Sequence, residues 1–240
     1  MANSRKLSTA TATLMSDGYG TYWLVTNWHV LSGRNPITGD AMHSSGATPE
    51  QLTVHMTTQM LGIRWPITIP LRDEDGDALW MEHPTRGKQV DVAAVPLPAQ
   101  HNQLVQHWIN PTDDSSPIWI AVSERLSVVG FPFGITAGLG LPIWTQGFVA
   151  SHIELDFDGS PCFLIDARTR EGQSGSPVVY YSTSGMYPVE FGGTQLGNKG
   201  ETRFLGIYSG RINIDSDLGR VWKPSAITDI ITGNTKSKAL

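Results

Sequence analysis

Arg170-Glu171-Gly172-Gln173-Ser174-Gly175-Ser176-Pro177-Val178-Val179 sets one serine between two glycines and then runs into a β-branched pair. Gly172 lets a backbone N–H approach a substrate carbonyl, and Gly175 removes bulk behind the serine. A Gly/Ser loop with no chemistry reads the same way locally. A serine hydroxyl becomes a nucleophile only when a base takes its proton and a third group holds that base in one tautomer. The segment therefore calls for one well-placed histidine and one well-placed aspartate elsewhere in the chain.

Two other segments meet that requirement. Tyr22-Trp23-Leu24-Val25-Thr26 is a dense run of strand formers ending in Asn27-Trp28-His29-Val30-Leu31. A strand that stops at a Thr-x-x-His turn puts the imidazole at a sheet edge, although a lone histidine is more often a core or solvated side chain. In Lys88-Gln89-Val90-Asp91-Val92-Ala93-Ala94-Val95 a single aspartate interrupts an apolar run. A carboxylate in such a place is costly to bury unless a dedicated donor satisfies it, so Asp91 predicts one; a strand-edge aspartate facing water is the alternative.

The 25 glycines and 15 prolines, with short interrupted apolar runs, favour many short strands over long helices. Strand patterns fall at residues 8–15, 22–26, 52–56, 67–71, 90–97, 126–130, 146–153, 163–166, 177–181, 204–211 and 220–222. Residues 98–117 lose strand character and read as a connection between two halves, 8–105 and 118–233. Residues 192–200 read as a Gly-rich loop. A helix is predicted over 224–233, where Ile227, Ile230 and Ile231 share a face and Gly233 stops the run; 234–240 should be loose.

A net charge of −5 and a pI near 5.8 argue against nucleic acid or an anionic membrane as partner. Cys162 is the only cysteine, so no internal disulfide forms, and it reads as a small buried apolar residue. No apolar h-region follows Arg5 and Lys6, which leads to the expectation of a cytoplasmic protein. The acidic turn at 72–77 matches a calcium loop only in part and reads as a solvated hairpin tip. No histidines are spaced as zinc-hydrolase ligands, so no metal or other cofactor is expected.

His29, Asp91 and Ser174, in that order, sit in contexts that resemble the trypsin/chymotrypsin family of serine peptidases. Thr26-Asn27-Trp28-His29 is similar to the family's Thr-Ala-Ala-His turn, and Asp91-Val92-Ala93 to its Asp-Ile-Ala segment. Gly172-Gln173-Ser174-Gly175-Ser176-Pro177 is similar to Gly-Asp-Ser-Gly-Gly-Pro, and Gly206-Ile207-Tyr208-Ser209-Gly210 to Gly-Ile-Val-Ser-Trp. Gly130-Phe131-Pro132-Phe133-Gly134 is shared with bacterial and HtrA-like branches. The resemblance spans residues 8–233 and implies an all-β fold of two six-stranded antiparallel barrels with a short C-terminal helix. It implies an endopeptidase in which Ser174 attacks, His29 is the base and Asp91 orients it. It further implies an oxyanion hole from the N–H groups of Gly172 and Ser174, with the Ser209 hydroxyl donating to Asp91. The α/β-hydrolase elbow fits worse, because its triad runs Ser, Asp, His.

The chain departs from the family at two places that matter for function. Gln173 stands where trypsin-like zymogens carry an aspartate, which argues against activation by a new N-terminal ammonium. Arg168 falls at the floor position of the specificity pocket, with Thr169, Ser209, Gly210, Arg211 and Arg220 around it. That pattern predicts against cleavage after Lys or Arg and leaves an acidic P1 residue open, depending on whether Asp215 and Asp217 neutralise the arginines. The expected partners are a protein or peptide substrate and a regulatory or effector protein, because a compact cytosolic peptidase needs restricted specificity or control. A catalytically silent binding module on the same scaffold is the alternative, and an esterase or transferase using the same acyl-enzyme is a further one.

Overall fold

The computed structural model describes residues 6–238, apart from 17, 59, 61, 106, 114, 198 and 214. Strand β1 (Thr13–Ser16) pairs antiparallel with β2 (Tyr22–Thr26), Thr13 lying opposite Val25. The chain then forms a single helical turn, α1 (Trp28–Ser32). Gly33, in the left-handed conformation at φ 67°, ends that turn by donating its N–H to the His29 carbonyl. A hairpin follows, β3 (Gln51–Thr57) and β4 (Arg64–Pro70), in seven-pair register. After it come β5 (Met81–Glu82) and β6 (Ala93–Pro96), which extend the first sheet in the order β1-β2-β6-β5.

In this half the strand ladder does not run round a closed circuit, though the arrangement is consistent with the expected six-stranded barrel. Its six strands are divided between that sheet and the separate β3–β4 hairpin. Packing joins them instead of a continuous ladder: Met56, Ile67 and Ile69 from the hairpin share one core with Leu24, Trp80, Ala93 and Val95. Alternate residues of the hairpin face solvent, so period-2 patterning alone announces the strands but not their partners.

The second half closes as expected. Strands β7 (Arg125–Gly130), β8 (Ile143–Val149), β9 (Cys162–Ala167) and β10 (Pro177–Ser182) enter it in turn. Next comes a short hairpin, β11 (Met186–Val189) and β12 (Gly193–Leu196), the second strand falling within the 192–200 stretch that the sequence reads as a loop. Strands β13 (Glu201–Arg211) and β14 (Leu218–Trp222) complete a closed barrel in the order β10-β13-β14-β9-β8-β7. Leu126, Val128, Phe163, Ile165, Val178 and Val221 fill it.

Helix α2 (Pro224–Gly233) starts with proline at its first position and occupies the predicted span. Its buried face of Ala226, Ile227, Ile230 and Ile231 meets Val90, Val92 and Ala94 from the first half. The same cluster takes Cys162, Ile207 and Trp222 from the barrel, so the helix stitches the halves together. Each of those isoleucines contributes at most about 1.5–3 kcal/mol by burial. The tail beyond it is not loose, contrary to expectation. β15 (Thr235–Lys236) pairs antiparallel with β5, so it becomes the edge strand of the N-terminal sheet.

Candidate active site

Asp91 lies between the fully buried Val90 and Val92 and is itself only 6% exposed. Two donors from one residue satisfy its carboxylate. His29 gives its backbone N–H to Oδ1 at 3.0 Å, and its ring Nδ1 lies 2.7 Å from Oδ2. Beside them the Asn27 side-chain amide donates to the Asp91 carbonyl at 2.7 Å. The helical turn after β2 and the segment before β6 are thus laced together, with Nδ1 bound to the carboxylate and Nε2 left to face away from it.

Ser174 is half-buried on the loop between β9 and β10. The residues that hold it come from the start of the chain. Thr11 N–H donates to the Ser174 carbonyl at 2.9 Å, Thr11 Oγ1 to the Gly172 carbonyl at 2.9 Å, and Thr13 Oγ1 to the Gly175 carbonyl at 3.0 Å. Thr26, three residues before His29, donates its hydroxyl to the Thr11 carbonyl at 2.8 Å. Thr11 therefore links the histidine-bearing and serine-bearing segments across the seam. A Cβ on Gly175 would sit 2.1 Å from the Thr11 carbonyl oxygen and 2.4 Å from Thr26 Oγ1, so only glycine permits this approach. Among the described residues no hydrogen bond joins the Ser174 hydroxyl to the imidazole. Such contacts are often long before substrate binds.

The N–H groups of Gly172 and Ser174 have no acceptor among the described residues. The Glu171 carbonyl accepts from Phe133 N at 2.6 Å, which turns the Gly172 N–H of that planar peptide away from the 131–134 turn. Gln173, fully buried, fixes the loop from inside. Its Oε1 accepts from Arg170 N at 2.7 Å and its Nε2 donates to Thr145 Oγ1 at 3.0 Å. A neutral amide thus occupies the place where the trypsin-like zymogens carry an aspartate.

Ser209 is placed differently from expectation. Its Oγ accepts from the indole of Trp222 at 3.0 Å, and it makes no bond to Asp91. The irregular register between Tyr208 and Arg211 turns this part of β13 toward β14, and the His29 main-chain N–H supplies the donor that Asp91 needs. The expected specificity residues differ in exposure. Arg168 and Arg211 are exposed, so Arg168 forms no buried floor, and Gly210 is half-buried. Arg220 stacks over Trp222 at 5.7 Å. Thr169 is buried, with its hydroxyl hydrogen-bonded to the buried Tyr208 hydroxyl. Burial pushes the Tyr208 pKa up, partly offset by the Thr169 bond and by Arg211 and Arg170. The Tyr208 main chain is also locked to the Ser174 loop, accepting from Gly175 N at 3.0 Å and donating to Ser176 O at 2.9 Å.

Thr11, Thr13 and Tyr208 are the site residues that sequence reasoning missed. The spaced threonines at 9, 11 and 13 carry the signal for the first two, since hydroxyls on the inward face of a first strand need acceptors. Surface hollows of about 500 and 350 Å³ border the inter-half connection, and neither is lined by His29, Asp91 or Ser174. No three His, Cys, Asp or Glu side chains among the described residues are grouped to hold a metal. The arrangement can polarise a hydroxyl and bind a developing oxyanion, which is acyl-transfer chemistry.

The chain resembles several solved structures. The Rv3671c protease in its inactive form matches with a TM-score of 0.50 at 18% identity, over 95% of this chain and 85% of that one. A thermostable serine protease AL20 from an extremophilic microorganism matches at 0.48 and 13%, over 93% and 89%. A serine endoprotease from Yersinia pestis matches at 0.47 and 16%, over 95% and 59%. No curated protein sequence matches significantly. The family model described as trypsin-like peptidase domain matches residues 10–184, well over half of the chain. The protein therefore belongs to the trypsin-like peptidase domain family and is a serine-type endopeptidase.

Proposed function

We propose that the chain hydrolyses peptide bonds through Ser174, His29 and Asp91, by way of an acyl-enzyme. The observation that carries this reading is the double engagement of Asp91 by His29, at 2.7 and 3.0 Å, on the seam where Thr11 holds the Ser174 loop. Ser174 Oγ adds to the scissile carbonyl carbon while its proton passes to His29 Nε2. The carbonyl oxygen takes up negative charge against the Gly172 and Ser174 N–H groups. The C–N bond breaks as His29 returns that proton to the leaving amine. Water then attacks the ester, giving one proton to His29, which passes it to Ser174 Oγ as the acid leaves. Asp91 fixes the imidazole tautomer and stabilises its charged form throughout.

For the P1 residue, the exposed arginines and the Thr169–Tyr208 hydroxyl pair support side chains other than Lys or Arg. The test is turnover of a denatured proteome with product sequencing, comparing the native chain with Ser174→Ala. The expected result is hydrolysis reduced at least about 10³-fold by the substitution, with few cuts after Lys or Arg. Equal turnover by Ser174→Ala would overturn the triad, and no turnover by either would favour the silent binding module.

A further inference from the structure

Helix α1, which carries His29, is too short to hold itself: five residues make little more than one turn, and Asn27 provides no side-chain cap. Its orientation has to come from outside. One anchor is Asp91. The other lies on Trp28, next to the histidine and 1% exposed. The Trp28 indole N–H donates to Glu82 Oε2 at 3.0 Å. The same carboxylate oxygen accepts from the Ser237 hydroxyl at 2.5 Å, while the Ser237 backbone N–H donates to the Trp80 carbonyl at 3.0 Å. Ser237 Oγ lies 3.4 Å from the indole nitrogen, so the three groups close into a triangle. Lys88 Nζ sits 5.9 Å over the same indole.

Glu82 ends β5, and β15 is the strand that pairs with it, Thr235 opposite Glu82. Ser237, the residue that follows β15, thus reaches the helical turn of the base through a single carboxylate. The segment leaving Glu82 is also the one that arrives at Asp91. The His83 backbone accepts from Gly87 N, and Pro84 packs against Gly233 of α2. Displacing β15 would free Glu82 from its second donor and loosen both anchors of His29 together.

We propose that Glu82 is a positioning residue for His29 and that β15, through Ser237, sets it. The inference rests on His29 being the base, but it concerns the geometry that delivers the ring. Turning α1 by a fraction of a side chain lengthens the Nδ1–Asp91 contact without touching the substrate groove. The signature is then a loss in kcat with KM unchanged.

The test uses the full chain, below the melting midpoint of every variant, with two readouts. The first is the low-field proton NMR signal of His29 Nδ1–H bonded to Asp91. The second is steady-state peptide hydrolysis. Glu82→Ala is expected to abolish or broaden the low-field signal and to lower kcat about tenfold at unchanged KM. Glu82→Gln, which keeps an acceptor for the indole, should restore both. Ser237→Ala should lower kcat about threefold, and the double variant Glu82→Ala/Ser237→Ala should be no worse than Glu82→Ala, since the serine acts through the carboxylate. A Glu82→Ala protein that keeps the signal and the wild-type kcat, or a native chain without the signal, would overturn the inference. If the signal behaves as expected while the native chain hydrolyses nothing, the positioning stands and the catalytic reading falls.

Discussion

A carboxylate as buried as Asp91 survives because His29 supplies two N–H donors to it, one from the main chain and one from the ring. The glycines of the Ser174 loop are equally specific in their demands. A Cβ on Gly172, at φ 92°, would meet the Phe131 carbonyl oxygen at 2.5 Å and Phe133 N at 2.9 Å. Gly172→Ala is therefore expected to tilt the 171–172 peptide and lower kcat about 100-fold or more, as loss of one oxyanion donor does. Steady-state kinetics checks this, and a variant within a few-fold of wild type would remove Gly172 from the oxyanion site. Cys162 carries the opposite expectation. Burial pushes its thiol up to about 11, so at neutral pH it stays protonated. Folded protein should resist thiol-specific alkylation, while protein in denaturant should label fully; fast labelling of the native chain would contradict this. The His29–Asp91 pairing and the buried Cys162 were legible in the sequence, because each breaks or completes a local pattern. The donor to Asp91 was not legible. Ser209 and the His29 main chain both offer one, and the choice depends on how β13 meets β14.

At the scale of elements, α2 was legible to the residue because a proline, an isoleucine face and a glycine mark it. The β11–β12 hairpin was not, since Gly192, Gly193, Gly197 and Gly200 dilute its strand pattern. β15 is two residues long, and its pairing with β5 is a tertiary fact with no local signature. The junction between the end of β5 and α2 carries a titration. His83 is 6% exposed, and its Nε2 lies 3.5 Å from Asp229 Oδ2. Burial pulls its pKa below the ordinary 6.5; Asp229 pushes the other way, and Arg86 adds to the lowering. Below pH 6.5 the unfolded chain takes up a proton that folded His83 resists, so stability present above that pH falls as pH drops. The melting temperature should decline between about pH 7.5 and 5.5, and His83→Gln should flatten that decline. An unchanged slope in the variant would show that His83 does not contribute.

Over the whole molecule, two β halves meet along a seam that α2 closes on one side and Thr11 crosses on the other. The second half was legible as a barrel, and it closes as one. The first was legible as strands but not in its pairing, because its hairpin joins by side-chain packing and an edge strand comes from after α2. The proposed catalysis requires the seam to bring the imidazole to the hydroxyl when substrate binds. The most direct measurement is intact-mass and peptide mapping after reaction with a fluorophosphonate, on the native chain and on His29→Ala. One adduct per chain, on Ser174, formed at least about 100-fold more slowly in His29→Ala, is the predicted result. No adduct, an adduct on another residue, or equal rates in the two proteins would contradict it.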